Sequence, residues 1–460
     1  MDLVNTVRKF FMKLLNIETI EEATGLTTLL SAEMRTAVEK WAEMYAGCAP
    51  WHKDSVQCGV EKSLAGALSM PVGQELRLKV YGKPIEEAMM KLNEESYKII
   101  EYFTSFGSCV LRPMFSAGRL QYELIPLGNY LPTSYDIDGT LTGAAITKHI
   151  DAGKKKYLLV EQHEYSNGNH SVTEKLYEQE GNGSILKAVP LTATPQTAQL
   201  TESFTWEGVE RPFIIEFRNR ETNRIDGSNV PVALISGAEG LIKDADEQYT
   251  RMIWEQEAGK MRVFADQDLF RTRQGKDNEA ENVTVDPKLR NVFVKLNGDT
   301  TDSGQKITPY APALRTDSQK AAMQEILKRI ELAVNVGKGT LSELEQVQQT
   351  ATQFSGGRKA FYSKVDTYES ELEEKYTRCA YVFAYMASAY TGVPFNDTIE
   401  VSWADGLRKD PVQERQLDKA DVAAGLMNKY EYRMKWYGED EATAKANVPQ
   451  QEESDMFGNM

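Results

Sequence analysis

Two cysteines and a histidine near the amino terminus are side-chain types that bind zinc. They are Cys48, His52 and Cys58. A structural zinc site needs four ligands, usually paired about two to four residues apart, and this group has neither that spacing nor an evident fourth ligand. None of the cysteines belongs to a CxxC pair, which is typical of free thiols in a reducing compartment. The pattern predicts no metal site and no disulfide bonds.

Nucleotide chemistry would require a glycine-rich loop ending in Gly-Lys-Ser/Thr, whose backbone N–H groups and lysine hold the phosphates. The nearest fragment, GKGT at 337–340, lacks the upstream glycine and the hydroxyl residue next to the lysine. The fragment GAEG at 237–240 lacks the glycine triplet of a dinucleotide-binding turn. We therefore predict neither an ATPase nor a nucleotide cofactor.

The sequence also lacks the motifs that are typical of hydrolases. The histidines form no HExxH motif, and the chain has no GxSxG motif. The acidic pairs Glu373–Glu374 and Glu452–Glu453 consist of consecutive residues, and consecutive residues on a helix do not face one metal site. We expect these carboxylates to be solvated, and we expect no enzymatic activity and no cofactor.

The composition describes a folded protein that is not built to grip nucleic acid. The chain has 460 residues, of which 41% are hydrophobic and 26% charged, and its length predicts several sub-domains. Its formal net charge of -15 disfavours tight DNA binding through counterion release. A surface that repels phosphate is still compatible with a passage through which DNA slides.

Hydrophobic periodicity divides the first half of the chain into helices followed by strands. The amino terminus reads as an amphipathic helix, and no run of about eighteen apolar residues predicts a membrane span; we expect a soluble, intracellular protein. Helical spacing covers 31–70 and 85–106. From 120 to 177, four segments rich in β-formers alternate with turn residues such as Asn167-Gly168, which predicts an antiparallel meander.

The second half places two amphipathic helices on either side of an irregular segment. The first helix carries an apolar stripe that includes Leu241, Ala245 and Tyr249, and the second begins near Asp317 and stops at Gly337. Between them, 260–313 is β-like and rich in turn formers. A polar, glycine-flanked loop follows, and then a long helix over 360–391.

The wording and order of several segments resemble the portal proteins of long-tailed bacteriophages of Gram-positive bacteria, from about residue 31 to 448. The segments are WAEMYAGCAPW (41–51), GSCVLRPMF (107–115), IPLGNYLPTSYDIDGTLTGA (125–144), YLLVEQHEY (157–165), PFIIEFRNRETNRID (212–226), GAEGLIKDADEQYTRMIWEQEAGKMRVF (237–264), TDSQKAAMQEILKRIELAVNVGKGT (316–340), TATQFSGGRKAFYSKVDTYESELEEKY (350–376) and the stretch 403–448. Where Gln353 stands, the family more often has an acidic residue.

The resemblance implies an α+β portal fold with a wing, a two-helix stem, a β-rich clip, a tunnel loop and a helical crown. Its parts would be an amphipathic amino-terminal helix or arm (1–30), a wing of helices and then antiparallel strands (31–235), stem helix 1 (236–259), the clip (260–312), stem helix 2 (313–336), the tunnel loop (337–358), a long wing helix (359–405), and a crown with an acidic tail (406–460).

The function implied is that of a head-to-tail connector at one capsid vertex, the conduit for DNA packaging and ejection. It would form a ring of about twelve copies. Its other partners would be the terminase large subunit, a head-completion or adaptor protein, capsid and scaffolding proteins, and double-stranded DNA passing through the channel, with no membrane. It would be assembled in the host bacterial cytoplasm and reside in the virion.

The resemblance also assigns residues to two candidate sites. In the tunnel loop, the side chains that would touch DNA weakly are Lys338, Gln346, Gln348, Gln349 and Thr350. In the clip, the side chains that would bind partners are Arg262, Arg271, Arg273 and Lys276. On the long helix, Asp366, Glu369, Glu373 and Glu374 are expected to point outward. The alternatives are another phage head–tail adaptor or structural component, and an enzyme of DNA packaging.

Overall fold

The computed structural model describes residues 21, 24–116, 118–153, 155–179, 185–266, 293–296, 307–310, 312–343, 359–404 and 411–448. Its helices are α1 (Ala32–Tyr45), α2 (Val60–Glu75), α3 (Lys83–Glu94), α4 (Ser96–Phe106), α5 (Glu239–Ala258), α6 (Thr316–Ala333), α7 (Lys359–Thr391), α8 (Pro411–Ala423), α9 (Lys429–Tyr437) and α10 (Glu441–Ala446). Its strands are β1 (Leu76–Val80), β2 (Ser108–Ser116), β3 (Arg119–Pro126), β4 (Tyr130–Tyr135), β5 (Leu141–Ala152), β6 (Lys155–Ser166), β7 (Asn169–Gln179), β8 (Ile185–Val189), β9 (Ser203–Trp206), β10 (Ile215–Arg218), β11 (Arg262–Asp266), β12 (Phe293–Leu296), β13 (Ile307–Tyr310) and β14 (Ile399–Trp403).

The predicted antiparallel meander is confirmed for its last three segments, β5, β6 and β7, whereas the first segment, β3, pairs with β2 in a separate sheet. Strands β4 to β8 form one sheet in chain order, and β9 adds to it by pairing with β7. The turn between β6 and β7 places Asn167 at φ 51° and Gly168 at φ 74°. Two positive φ values in succession define the tight hairpin turn for which Asn-Gly is the preferred sequence. This turn fixes the register that brings Glu161 opposite Glu174.

A strand in the helical part of the wing was not predicted. β1 follows α2 directly and pairs antiparallel with β14, more than 300 residues later in the chain. The segment from 359 to 405 is therefore not one long helix: α7 ends at Thr391, and β14 occupies Ile399–Trp403. β1 alternates apolar and basic residues over only five positions, a signal too short to outweigh the helical patterns around it.

The amino-terminal helix also does not extend to residue 30. Gly25 lies at φ 70°, a left-handed conformation that ends a helix. The backbone N–H of Leu29 donates a hydrogen bond to the carbonyl oxygen of Pro132 on β4. The segment 25–30 is thus an extended connection to the sheet, while the predicted helix over 1–20 lies outside the described residues.

The long helix α7 runs through the hydrophobic core. Tyr368, Leu372 and Tyr376 are fully buried on it, and their neighbours in the core include α1 to α4, the sheet β10-β2-β3 and parts of the six-stranded sheet. Burial extends beyond that stripe, because Glu371 and Lys375 are also buried. The prediction that Glu369 points outward was wrong: it is 6% exposed, since α7 is covered on most of its circumference.

The architecture is α+β, and helices α1 to α7 share the main core with the antiparallel sheets. Both α5 and α6 enter this core at one end, through Ile242 and Ala245 on α5 and Ile330 on α6. Across the described ranges, no helix is both long and apolar enough to cross a membrane.

Candidate functional site

The helices α5 and α6 form an antiparallel pair that projects from the core. The buried residues of α5 lie in its first half, at Ile242, Ala245, Asp246 and Gln248, and those of α6 are Ile330 and Glu331 near its end. The second half of α5 contributes no apolar side chain to the core, and from the first half of α6 only Met323 packs against it. With 20 residues in α5, the pair is about 30 Å long, so its far end lies beyond the core.

A three-stranded sheet lies at the far end of the pair. β11 begins shortly after α5 ends, and it pairs parallel with β12 and antiparallel with β13, which precedes α6. The chain order is therefore helix, sheet, helix. Arg262 is the first residue of β11, lies opposite Tyr310 of β13 and is half-buried.

The two helices are joined near this far end by one carboxylate. Glu255 of α5 accepts hydrogen bonds from the backbone N–H of Arg315 (3.0 Å), from Nε of Arg315 (3.1 Å) and from Nε2 of Gln319 (2.7 Å). Gln319 also hydrogen-bonds to Gln248, which lies closer to the core on α5. The hydrogen bonds from Arg315 lower the pKa of Glu255 to about 2, so the carboxylate stays ionised at physiological pH.

Two tryptophans hold the base of the pair to the segment that begins on α1. Nε1 of Trp41 donates to Oε1 of Glu239 over 3.0 Å, and Nε1 of Trp51 donates to Oδ2 of Asp246 over 2.8 Å. The other oxygen of Asp246 accepts hydrogen bonds from the backbone N–H and the thiol of Cys58, at 2.8 and 3.0 Å. Asp246 is 1% exposed, so the segment from Trp41 to Cys58 fixes where α5 leaves the core.

The same segment contains the cysteines and the histidine considered above as zinc ligands. Burial, and then the hydrogen bond to Asp246, raise the pKa of Cys58 to about 12. Nδ1 of His52 lies 2.9 Å from the carbonyl oxygen of Ala49. Within the described part of the chain, no three His, Cys, Asp or Glu side chains are arranged to hold a metal ion.

Large apolar side chains are exposed on the helix pair and at its far end. Trp254 of α5 and Leu332 of α6 are each 68% exposed. Others are Tyr249, Met261, Tyr310 and Leu314. The apolar stripe predicted for α5 was partly wrong, because Tyr249 is exposed, whereas the polar Asp246 and Gln248 are buried. The exposed apolar side chains are distributed from the base of the pair, at Leu332, to its far end, at Trp254.

A turn at the base of α6 is organised around a second buried carboxylate. Glu331 accepts hydrogen bonds from the backbone N–H groups of Gly339 (3.2 Å), Leu341 (2.5 Å) and Ser342 (2.7 Å), and from the hydroxyl of Ser342 (2.8 Å). Glu331 is fully buried. The first residues of the predicted tunnel loop are therefore fixed against α6, whereas the sequence indicated a loop starting at Gly337.

Of the residues predicted for the two sites, the structure describes Lys338 and Arg262, which lie at opposite ends of the pair. Lys338 is exposed on the turn that Glu331 organises, and Arg262 lies beyond the opposite end of the pair. The 18 residues of α6 separate them by about 27 Å. The other predicted site residues lie outside the described residues: Gln346, Gln348, Gln349, Thr350, Arg271, Arg273 and Lys276.

Sequence reasoning missed three residues of this site. Trp254 lies off the apolar stripe predicted for α5, and a tryptophan off such a stripe is a usable signal of an exposed contact. Glu255 and Glu331 gave no signal, because glutamate is common on any solvated helix face. Their importance follows from the groups that they contact.

Comparison with known proteins adds little. No protein-family model matches the sequence, and no curated protein matches it. The chain is similar to one in a solved structure described as "Neck of native GTA particle computed with C12 symmetry", with 10% identity, coverage of 81% of this chain and 88% of that chain, and a TM-score of 0.36. A TM-score this low does not assign the fold.

Proposed function

We propose that this protein is a portal protein of a tailed bacteriophage, a ring subunit through which DNA enters and leaves the capsid. The observation that carries the proposal is the projecting pair α5 and α6 with a small sheet inserted between them at its far end. This arrangement has the chain order that the resemblance implies for stem, clip and stem. We propose a structural role for the chain and no catalytic one.

Ring assembly would use the exposed apolar residues of the pair. Closed rings of identical subunits are held by head-to-tail contacts, in which one patch meets a different patch on the next copy. Trp254 and Leu332 lie on different helices of the pair, so one could meet the neighbour on each side. Their exposure in the isolated chain supports this proposal.

The far end of the pair would dock the other components of the DNA machinery. We propose that the sheet β11–β13 and the segments between its strands bind first the terminase large subunit and later a head-completion or adaptor protein. Arg262 lies at the edge of this region, and Arg271, Arg273 and Lys276 belong to the segment between β11 and β12. Exposed Tyr310 and Leu314 would add apolar contacts at the same place.

The residues after the turn at Glu331 would face DNA. Because Glu331 fixes residues 339–342, the segment 344–358 would start from a defined position, with Lys338 exposed beside it. We propose that Lys338, Gln346, Gln348, Gln349 and Thr350 contact phosphates weakly. A chain with net charge -15 would not hold DNA tightly, and DNA could therefore slide.

Electron microscopy of the purified protein tests the proposal. A portal ring would be mushroom-shaped, with a wide wing and a narrow stem. The alternative function, another head–tail adaptor, would give a thin ring. A packaging enzyme would instead show ATPase or nuclease activity as the isolated protein, which our proposal does not predict.

A further inference from the structure

A cavity with both apolar and charged lining lies beside the six-stranded sheet, away from the helix pair. Its volume is about 540 Å³, and it is lined by β5, β6 and β7, by Arg112 of β2, and by Gln196, Thr197 and Leu200. Cavities of about 300–1,000 Å³ accommodate small organic ligands. Apolar walls are provided by Ile150, Leu159 and Leu200, and two glutamates, Glu161 and Glu174, also line the cavity.

These two glutamates are direct cross-strand neighbours. Glu161 on β6 lies opposite Glu174 on β7, and their exposures are 6% and 8%. Like charges placed opposite each other destabilise a sheet unless each one is compensated. Glu161 has partners that compensate its charge, whereas Glu174 has no comparable partner.

Glu161 has its own partners. Nε of Arg112 lies 3.1 Å from its Oε1, and Nε2 of His163 lies 2.5 Å from the same oxygen. Burial alone would raise the pKa of Glu161, but the hydrogen bond from His163 and the charge of Arg112 hold it below its usual value. Arg112 also contacts Glu123 at 3.4 Å and lines the cavity.

The histidines behind Glu161 have a fixed direction of donation. The backbone N–H of Phe213 donates to Nδ1 of His170, so the proton of His170 lies on Nε2 and is donated to Nδ1 of His163 over 3.1 Å. His163 then carries its proton on Nε2 and donates it to Glu161. Burial, followed by the electrostatic interaction with His163, lowers the pKa of His170 to about 3. The hydrogen bonds of the two histidines thus end at Glu161.

Glu174 has no comparable partner. Its Oε2 is buried without a hydrogen-bond partner in the part of the chain that the structure describes. Burial and then the charge of Glu161 raise the pKa of Glu174 to about 7, although Arg112 opposes the shift. The remaining charged or titratable groups around the cavity are Lys148, His149 and Asp151.

We propose that this cavity binds a small organic cation, an alkylammonium or alkylguanidinium group whose charged head pairs with the carboxylate of Glu174 and whose alkyl part packs on Ile150, Leu159 and Leu200. Such a group supplies the counter-charge and the hydrogen-bond donors that Glu174 lacks. The cation is either a free amine or a lysine or arginine side chain of a second copy. Cation binding at Glu174 does not depend on the portal assignment; only the choice between a free amine and a second copy requires that the chain assembles with itself.

Isothermal titration calorimetry with butylguanidinium and butylammonium chloride tests it on the full chain at pH 7. We expect saturable binding that releases protons, seen as a heat that differs between phosphate and Tris buffers, because binding ionises Glu174. E174Q should weaken binding at least tenfold. E178Q is the matched control on the same strand, because Glu178 pairs with Lys155 outside the cavity, and it should bind like the wild type.

The outcomes separate the alternatives. The proposal is overturned if E174Q binds the cations as tightly as the wild type does, or if neutral butanol binds as tightly as the cations. It is also overturned if the cations bind neither the subunit nor the assembly. Binding to both subunit and assembly identifies a free amine, whereas binding to the dissociated subunit alone identifies a side chain of a second copy. If E174Q does not fold, L200W decides, because a larger side chain in the cavity wall leaves both glutamates in place and should exclude the ligand.

Discussion

Nε1 of Trp51 donates a hydrogen bond of 2.8 Å to Oδ2 of Asp246, and this bond joins a turn of the wing to the base of α5. The same carboxylate also accepts the backbone N–H of Cys58. Because Asp246 is buried, each donor would lose its partner without gaining water if the carboxylate were removed. The direction in which α5 leaves the core therefore depends on one side chain.

We expect D246A to destabilise the protein by about 2–4 kcal/mol, because the indole N–H of Trp51 and the backbone N–H of Cys58 would stay buried without an acceptor. The free energy of unfolding in urea measures the effect. D244A is the matched control, because Asp244 is exposed on the same helix. Equal stability of the two variants would show that Asp246 does not anchor α5.

We expect W254E to prevent ring assembly while the subunit stays folded. Removal of a central interface tryptophan typically costs about 2 kcal/mol or more, which weakens each contact about thirtyfold. Analytical ultracentrifugation measures the assembly, and circular dichroism measures the fold. I137E, at a fully exposed turn position, is the control. If rings form normally with W254E, the tryptophan lies outside the subunit interface.

We expect the far end of the helix pair to loosen in acid. The pKa of Glu255 is lowered to about 2 in the folded protein by its hydrogen bonds to Arg315. The carboxylate therefore stabilises the pair above its ordinary pKa of about 4.5, and this stabilisation is lost as the pH falls from there to about 2. E255Q removes it at every pH.

Hydrogen exchange at residues 252–259 and 315–320 tests this expectation. Exchange at pH 7 should be faster in E255Q than in the wild type, and the difference should shrink towards pH 3. E257Q is the control, because Glu257 pairs only with the exposed Lys260 among the described residues. A difference that does not depend on pH argues against the ion pair as the cause.

We expect E331A to leave rings intact but to impair DNA packaging. Loss of the carboxylate leaves the N–H groups of residues 339, 341 and 342 without their acceptor. Each donor that stays buried lowers the free energy of unfolding by about 1–3 kcal/mol. Packaged DNA per particle measures the effect. E325A, which removes an exposed i,i+4 pair with Arg329, should package normally.

Deletion of 344–349 should have the same phenotype as E331A, because it removes the proposed DNA-facing glutamines. The deletion begins after Glu343, since residues 339–343 are bound to α6. If the deletion variant fills capsids normally, the segment does not guide DNA.

We expect the double charge reversal R271E/R273E to weaken terminase or adaptor docking at least tenfold and to leave ring formation unchanged. A pull-down of the purified ring with each partner measures docking. Loss of ring formation with normal docking would contradict this prediction and would place both arginines between subunits.

Elements with long, regular patterns were predictable from the sequence. The strands β3, β5, β6 and β7 were each predicted within a few residues, because alternating β-formers and the Asn167-Gly168 turn act over neighbouring residues. The helices α5 and α7 were predicted for the same reason. What could not be predicted were pairings between distant segments, such as β1 with β14, since five residues carry too little pattern.

Buried charges were also beyond the reach of the sequence. Asp246, Glu331 and Glu174 look like ordinary polar positions of a helix or strand, and periodicity assigns such residues to solvent. Each is buried because of groups that another part of the fold supplies, or, for Glu174, because a hairpin places it beside Glu161. The portal hypothesis itself rests on resemblance, and the projecting pair with its small sheet adds physical support.

The most direct test of that hypothesis is the symmetry and shape of the purified protein by electron microscopy. We predict a closed ring of about twelve subunits, with α5 and α6 forming a narrow stem about 30 Å long below a wide wing. A thin ring without a stem, or a monomer that stays dispersed at high concentration, would contradict the assignment.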